Sequence, residues 1–490
     1  MSATEIAISA ADFARLRNHL HRSDHDEHGA IALAGVHRSR GRDRLLVREL
    51  RLLTPDEFPP GRYGYRQFAP LITAELAGRA GNEGYAYIAF HSHPGSDRST
   101  ALSADDLAGH RRVYPHLLDL TRGRPVAGVA IGARSAAGEV WFASGVPATL
   151  DELRVIGSSL EHIRPVPARA DTASDRFDRQ ARLFGTDGQS ILRRMRVAVI
   201  GAGGGGSILV EQLAHLGIGA IDVIDFDRVE EHNLSRIVGA TARDATRRRK
   251  KVDVAARHAR WIDSNVDVRA IDGDIRDERV AAHLLEADFL FLATDTATSR
   301  LVFNAVVHRY LIPGIQIGAK VELGPCGEVL DIYVAVRPVL PDSGCLFCQG
   351  LVDPVRLQQE ARTSEEARAQ NYLDTPDVVD PSVITLNGIA ASHATTAMLF
   401  SAVGLLESAP QQLFFVRDGS VRDIAPRKDP DCPFCGRHPE SLFARGGAPS
   451  ELPVRPADPE ESHARLVTRL RSFAGSLAGR HSNRSPTSKR

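Results

Sequence analysis

The sequence predicts an α/β protein, and three observations carry that expectation. Short apolar runs of strand length alternate with stretches of helical periodicity over most of the 490 residues. One apolar run, Arg196-Val-Ala-Val-Ile, enters a glycine-rich turn and leaves it into an apolar helical stretch, Ile208–Leu216. From there the order strand, turn, helix, strand repeats, as in a doubly wound parallel sheet. A chain this long exceeds one ordinary domain, so two or three folded units are expected.

In the N-terminal third, Ala11–His21 and Leu71–Ala80 read as helices. Ala30–Val36, Leu45–Leu53, Tyr85–Phe90 and Val126–Ile131 read as strands of a mixed α/β domain spanning 1–157. The Pro-, Ala- and charge-rich stretch 158–174 reads as a linker, and 175–436 as the doubly wound domain. Residues 437–490 read as a basic, disordered tail, with one basic helix near Arg465–Leu477. From Ser462 onward that tail holds six arginines, one lysine and no acid.

Composition excludes several classes. Sixty-one basic residues balance sixty-one acidic ones, which gives no overall field for nucleic acid. No apolar run approaches the length of a membrane span, and the N-terminus lacks the pattern of a signal peptide. Five cysteines do not make a disulfide scaffold, and four of them form two Cys-x-x-Cys pairs, which favours metal in a reducing compartment. A cytoplasmic enzyme is the expectation.

The first chemical constellation ends a predicted strand, Ala89-Phe-His-Ser-His-Pro94. Side chains two apart on a strand share a face, so His91 and His93 can converge on one metal. Asp106, in Ser103-x-x-Asp106, completes a two-imidazole, one-carboxylate set that leaves a zinc ion one open position for water. Glu27, just upstream of the strand beginning at Gly29, is the candidate base, and Ser103 the candidate donor to the oxyanion. Ser103-x-x-Asp106 also reads as a helix capping box. Taken in order, Glu27, His91-x-His93-Pro94 and Ser103-x-x-Asp106 resemble the JAMM motif of the JAB/MPN metalloprotease family, over roughly residues 5–150. That resemblance implies zinc on His91, His93 and Asp106, water activation by Glu27, and oxyanion support from Ser103. The loop Gly95–Leu102 is longer than the commonest form, which leaves Asp105 as an alternative ligand.

The second constellation is the glycine turn. Gly201, Gly203 and Gly206 satisfy Gly-x-Gly-x-x-Gly, and with Gly204 they let backbone amides approach phosphates. Asp225, closing the next strand, sits where an acid would hold ribose hydroxyls. The turn carries no P-loop lysine, so Arg236 and Lys251 are the candidate phosphate cations, with Asn233 beside them. Asp295, after Phe289-Leu-Phe-Leu, is the candidate magnesium ligand. With Arg176-Phe-Asp-Arg179-Gln180 and Gly188-Gln189 upstream, these segments resemble the ThiF/MoeB family of ubiquitin-activating-type adenylating enzymes. The resemblance implies ATP and Mg2+ as cofactors, adenylation of a protein's C-terminal carboxylate, and a homodimer in which Arg179 reaches the partner's nucleotide. Thr296 replaces the family's usual asparagine. No cysteine lies between Cys348 and Cys432, where many relatives carry a thioester- or persulfide-forming one, and Cys326 reads as packed within the strand pair Val321–Val334.

The third constellation, Cys345-x-x-Cys348 and Cys432-x-x-Cys435, offers four thiolates and no open position, as a structural zinc requires. Together these imply a bifunctional enzyme of a prokaryotic ubiquitin-like pathway, trimming or releasing a ubiquitin-like protein and activating its carboxylate, with a conjugating-enzyme-like partner downstream. Sulfur-carrier activation and an inactive scaffold that binds a ubiquitin-like protein are the alternatives.

Overall fold

The computed structural model describes residues 2–456 apart from 24–25, 40, 59–67, 168–174, 325, 327 and 362–381. The N-terminal half is built on a nine-stranded mixed sheet. Its strands are β1 (Ala3–Ser9), β2 (Gly29–Ser39), β3 (Arg42–Leu52), β4 (Ala86–Ser92), β5 (Val126–Ile131), β6 (Ala136–Trp141), β7 (Pro147–Thr149), β8 (Glu152–Ile156) and β9 (Leu160–Ile163). They lie in the order β7-β6-β5-β4-β2-β3-β1-β8-β9. The expected strands and both expected helices are present, the latter as Ala10–Leu20 and Pro70–Glu83. Helix Ala104–Leu120 follows the Ser103 cap, as the capping-box spacing allowed. One feature differs from expectation: β9 occupies part of the stretch read as a linker, pairing with β8 from Leu160 to Ile163.

The C-terminal half is an eight-stranded sheet of β10 (Arg196–Ile200), β11 (Ala220–Asp225), β12 (Asp267–Asp272), β13 (Phe289–Leu292), β14 (Gly314–Leu323), β15 (Val329–Val339), β16 (Gln411–Phe415) and β17 (Ser420–Ile424), in the order β12-β11-β10-β13-β14-β15-β16-β17. The five strands from β12 to β14 are parallel; β15, β16 and β17 add on antiparallel. Val197–Ile200 and Phe289–Leu292 are buried throughout, as expected of strands covered on both faces. This is the α/β fold with a Rossmann-like domain that the glycine turn predicted.

The halves share one core. Ala7, Leu46, Ile156 and Leu160 of the first sheet pack in the same apolar cluster as β10 and β13. Beside them three arginines of the first half converge on one carboxylate of the second: Arg42 Nη1, Arg44 Nη2 and Arg154 Nη1 lie 2.7, 3.3 and 2.9 Å from Asp288 Oδ1. Glu5 supplies a second acid, and Asp288 Oδ2 accepts the Arg196 N–H. A buried carboxylate costs several kcal/mol in desolvation, and here three guanidinium groups offset it. Residues 437–456, read from sequence as the start of a disordered tail, are instead packed: Phe443 and Leu452 are fully buried, and Arg48 donates to the carbonyls of Phe443 and His438. The composition misled there because the apolar anchors come in short groups, Leu442-Phe-Ala444 and Leu452-Pro-Val454, set among Gly, Pro and charged residues. The helix expected near Arg465–Leu477 lies outside the described residues.

Candidate functional site

Antiparallel pairing of β2 with β4 sets Gly29 opposite His91, so the chain just upstream of Gly29 reaches the end of β4. His28 and Ser92 exchange backbone and side-chain hydrogen bonds there, which fixes Glu27 beside the two histidines. From the other side, Ser103 caps helix Ala104–Leu120 and places Asp106 in its first turn. His91 Nε2 and His93 Nε2 are 3.1 Å apart, and Asp106 lies 3.3 Å from each through its two oxygens. Donors about 2.0–2.1 Å from a common tetrahedral centre sit roughly 3.3 Å from one another. The three side chains therefore fit a zinc ion.

Burial works to raise the Asp106 carboxyl, but hydrogen bonds with His91, His93 and Ser103 hold it far below the ordinary range. The hydrogen bond with Asp106 raises His93, helped by the charge of Glu27. Ser103 caps the helix as its spacing allowed: its Oγ accepts the Asp106 N–H, and it also donates to Asp106 Oδ2 at 2.7 Å. Asp105 stays exposed and outside the cluster. The long loop is pinned in place, with Ser96 O accepting the Ala133 N–H and Thr100 N–H donating to Pro165 O. One neighbour went unread in the sequence. His110, one turn past Asp106, stacks on Tyr114 and bonds Glu139 through Nδ1 at 2.8 Å.

At the carboxyl end of β10, Gly201 adopts φ +95°, a conformation side chains other than glycine's rarely take. A Cβ at Gly206 would fall inside the Gly201 carbonyl oxygen. Both positions thus demand glycine, and the turn brings Gly203 and Gly204 to the start of helix Gly204–Leu216, its N–H groups open to a phosphate. Asp225 is expected on ribose hydroxyls. Its two oxygens accept the N–H groups of Ala202 and Asp227, at 2.7 and 2.8 Å, and burial raises its pKa. It braces the cradle and keeps a lone pair on each oxygen for a ligand.

The cations are arranged unequally. Arg236 lies against Gly204 and donates to the His232 carbonyl. Lys251 is paired with Asp227 at 2.7 Å. Asn233, 4 % exposed, accepts the Glu230 N–H, which gives it a capping contact within the chain. Asp295 is exposed just past β13, before helix Ala297–Tyr310. Arg179 is exposed in the first turn of helix Asp178–Arg194, away from these groups, whereas Gln180 and Gln189 both donate to the Leu216 carbonyl and tie that helix to the cradle helix. Asn387, from helix Ile384–Ala402, was not legible: its amide nitrogen stands where a Cβ on Gly204 would be. Only the return of the chain across the sheet brings it there. Cys326, expected to be packed, is exposed at the turn joining β14 to β15. The strand pair continues past the body of the sheet, which alternation along the strands cannot reveal.

The four remaining cysteines come together. Sγ–Sγ distances are 3.6 Å for Cys345–Cys348 and 3.5 Å for Cys345–Cys432 and Cys348–Cys435. Thiolates about 2.3 Å from a tetrahedral centre sit roughly 3.7 Å apart, so this closed set also fits zinc.

Residues 177–434 match the model of the ThiF family. The sulfur carrier protein ThiS adenylyltransferase of Bacillus subtilis is 27 % identical over 266 residues, covering 53 % of this chain and 71 % of that protein. The SAMP-activating enzyme E1 of Haloferax volcanii is 27 % identical, with 54 % and 90 % covered. The sulfur carrier protein adenylyltransferase of Thermus thermophilus is 27 % identical, with 54 % and 92 % covered. With more than half of its length matched and the glycine cradle at the carboxyl edge of its parallel strands, this chain belongs to the ThiF family.

Proposed function

We propose that the chain is a bifunctional enzyme acting on a ubiquitin-like or sulfur-carrier protein. Its C-terminal half adenylates the carrier's terminal carboxylate with ATP, and its N-terminal half, a JAB/MPN-type zinc peptidase, cleaves at that terminus. Family membership supports the first activity, as do the relatives whose names denote sulfur-carrier and SAMP activation. The second rests on one observation: three ligands at tetrahedral spacing with a glutamate beside them.

For cleavage, zinc on His91, His93 and Asp106 supplies a Lewis acid for water and the scissile carbonyl. Glu27 takes the proton from the attacking water and returns it to the leaving amine. Ser103, held by Asp106, stands at the rim, where its hydroxyl can turn to the oxyanion. For adenylation, amides of the Gly201–Gly206 turn hold phosphate oxygens, Arg236 and Lys251 neutralise charge, and Asp295 would hold Mg2+. A carboxylate oxygen attacks the α-phosphorus as the bond to the departing pyrophosphate breaks. The protein works by positioning and charge neutralisation. Homodimerisation, with Arg179 reaching across, completes the cation set. The Cys345, Cys348, Cys432 and Cys435 cluster holds a structural zinc. The absence of a cysteine between Cys348 and Cys432 favours hand-over of the acyl group to a separate molecule.

The test pairs metal analysis with carrier-dependent ATP–pyrophosphate exchange and with cleavage of a C-terminally extended carrier. Two zinc ions per chain and both activities are expected. Exchange at background with every co-encoded small carrier protein sinks the adenylation reading, and failure to cleave sinks the peptidase reading.

A further inference from the structure

We infer that the two sites open on opposite ends of one continuous body, so that a carrier trimmed at the first must be released before its carboxylate is adenylated at the second. This rests on the bifunctional reading above; its geometric part does not.

The nucleotide cradle lies where the parallel strands end: Gly201–Gly206 follows β10, Asp295 follows β13, and Asn387 lies in the first turn of the helix that returns from that edge. The first half docks at the other edge. Arg44 bonds the carbonyls of Leu285 and Ala287, and with Arg42 and Arg154 it grips Asp288, immediately before β13 begins. His37 packs on Tyr310, the last residue of the helix running back from Asp295. Ala11 N–H donates to Asp342, just beyond the end of β15, which runs antiparallel to β14. Ser159 donates to the carbonyl of Leu406, past the far end of helix Ile384–Ala402. Each contact is at the base of the parallel sheet.

At about 3.3 Å per residue, Asp295 lies roughly 20 Å above the Asp288 contact. In the first half, β3 leaves that contact at Arg44 and runs beneath the second domain, with Arg48 already under Phe443. At its far end the Leu53 N–H meets Gly29 O, and Gly29 faces His91, which places the three-ligand cluster up to roughly 30 Å along the strand from Arg44. Every contact with the first half is at the base of the parallel sheet and the cradle is at its top, so the height of that sheet, roughly 20 Å, separates the cradle from the first half before the second leg is added. An extended tail gains at most about 3.6 Å per residue, so roughly six residues would be needed for that height alone, along a straight line through the protein. A carrier whose body rests at one mouth cannot present its end to the other. Hydrolysis adds water across the peptide bond and frees the carboxylate; formation of the acyl–phosphate bond and loss of pyrophosphate then begin with a new encounter.

Two measurements test this. Nitroxides on Asp105→Cys and Phe226→Cys, in a Cys326→Ser background and diluted with unlabelled protein, should give an electron–electron distance above 30 Å. A distance under 20 Å overturns the arrangement whether or not either activity exists. Isotopically labelled extended carrier is then supplied with ATP and a tenfold excess of unlabelled mature carrier. The adenylate should carry label in proportion to the mixed pool, about tenfold diluted. Adenylate labelled well above that ratio means direct transfer and overturns the inference. Extended carrier that is never cleaved removes the peptidase reading instead, and the nitroxide distance still decides the geometry.

Discussion

The two halves prepare their chemistry in different ways. In the first, side chains from two elements already stand at tetrahedral spacing, with Asp106 held by its own helix cap. In the second, the backbone is prepared and the side chains are not: the glycine turn is braced by Asp225, while Lys251 is paired with Asp227 and Arg179 lies apart. A cluster that is to take a metal needs its donors assembled, because a metal bond is short and directional. A nucleotide brings its own charge and can draw cations out of weak surface pairs, which cost little to break. One half is set before its ligand arrives, and the other is completed by it.

The largest effect that separates them is expected from Gly206→Ala. The added methyl must displace the Gly201 carbonyl, so exchange should fall to background while cleavage of an extended carrier continues. Loss of both activities would mean the halves are not separable. Glu27→Gln should keep both zinc ions and lower cleavage by about 10²–10⁴-fold, the usual worth of a general base, with exchange unchanged. An unaltered cleavage rate removes Glu27 from that role.

Asp288→Ala attacks what the halves share. It leaves Arg42, Arg44 and Arg154 buried without their common counter-charge, which should cost about 3–5 kcal/mol and split one thermal transition into two. The pH dependence has a definite sign. Burial works to raise Asp288, but Arg154, Arg42 and Arg44 hold its carboxyl below the ordinary range. Its stabilisation is therefore full above the pKa of an ordinary aspartate and is lost as pH falls through the folded value, because the unfolded chain protonates first. In the variant, that acid limb of the stability curve should flatten; an unchanged limb would assign it to other carboxylates, such as Glu152. The smallest effect is expected from Asn387→Ala, which removes one amide from beside Gly204: a several-fold rise in the KM for ATP, read in the exchange assay, with unfolding temperature unchanged. A large fall in that temperature would make Asn387 structural.

Much of this was legible in the chain. The strands Val126–Ile131 and Arg196–Ile200, the glycine turn and the shared face of His91 and His93 follow from local periodicity and spacing, because a side chain's direction along a strand repeats every two residues. Asp106 was favoured over Asp105 because Ser103-x-x-Asp106 has the spacing of the JAMM motif that the segment resembles. What escaped depends on contacts remote in sequence. Asn387 reaches Gly204 across more than the length of the parallel sheet. Cys326 is exposed because its strands outrun their neighbours, and residues 437–456 are ordered because Arg48, Val36 and His308 give their backbone partners.

The sequence by itself determined which chemical groups the chain sets side by side: glycine where no Cβ fits, two imidazoles on one strand face, thiolates in pairs. Only the tertiary structure decided where those chemistries stand relative to one another. Asp288 and the three arginines that meet it are ordinary surface residues when read along the chain. They lock the first half to the base of the second only after folding removes water from between them, since a charge network gains that strength once it is buried and fully paired.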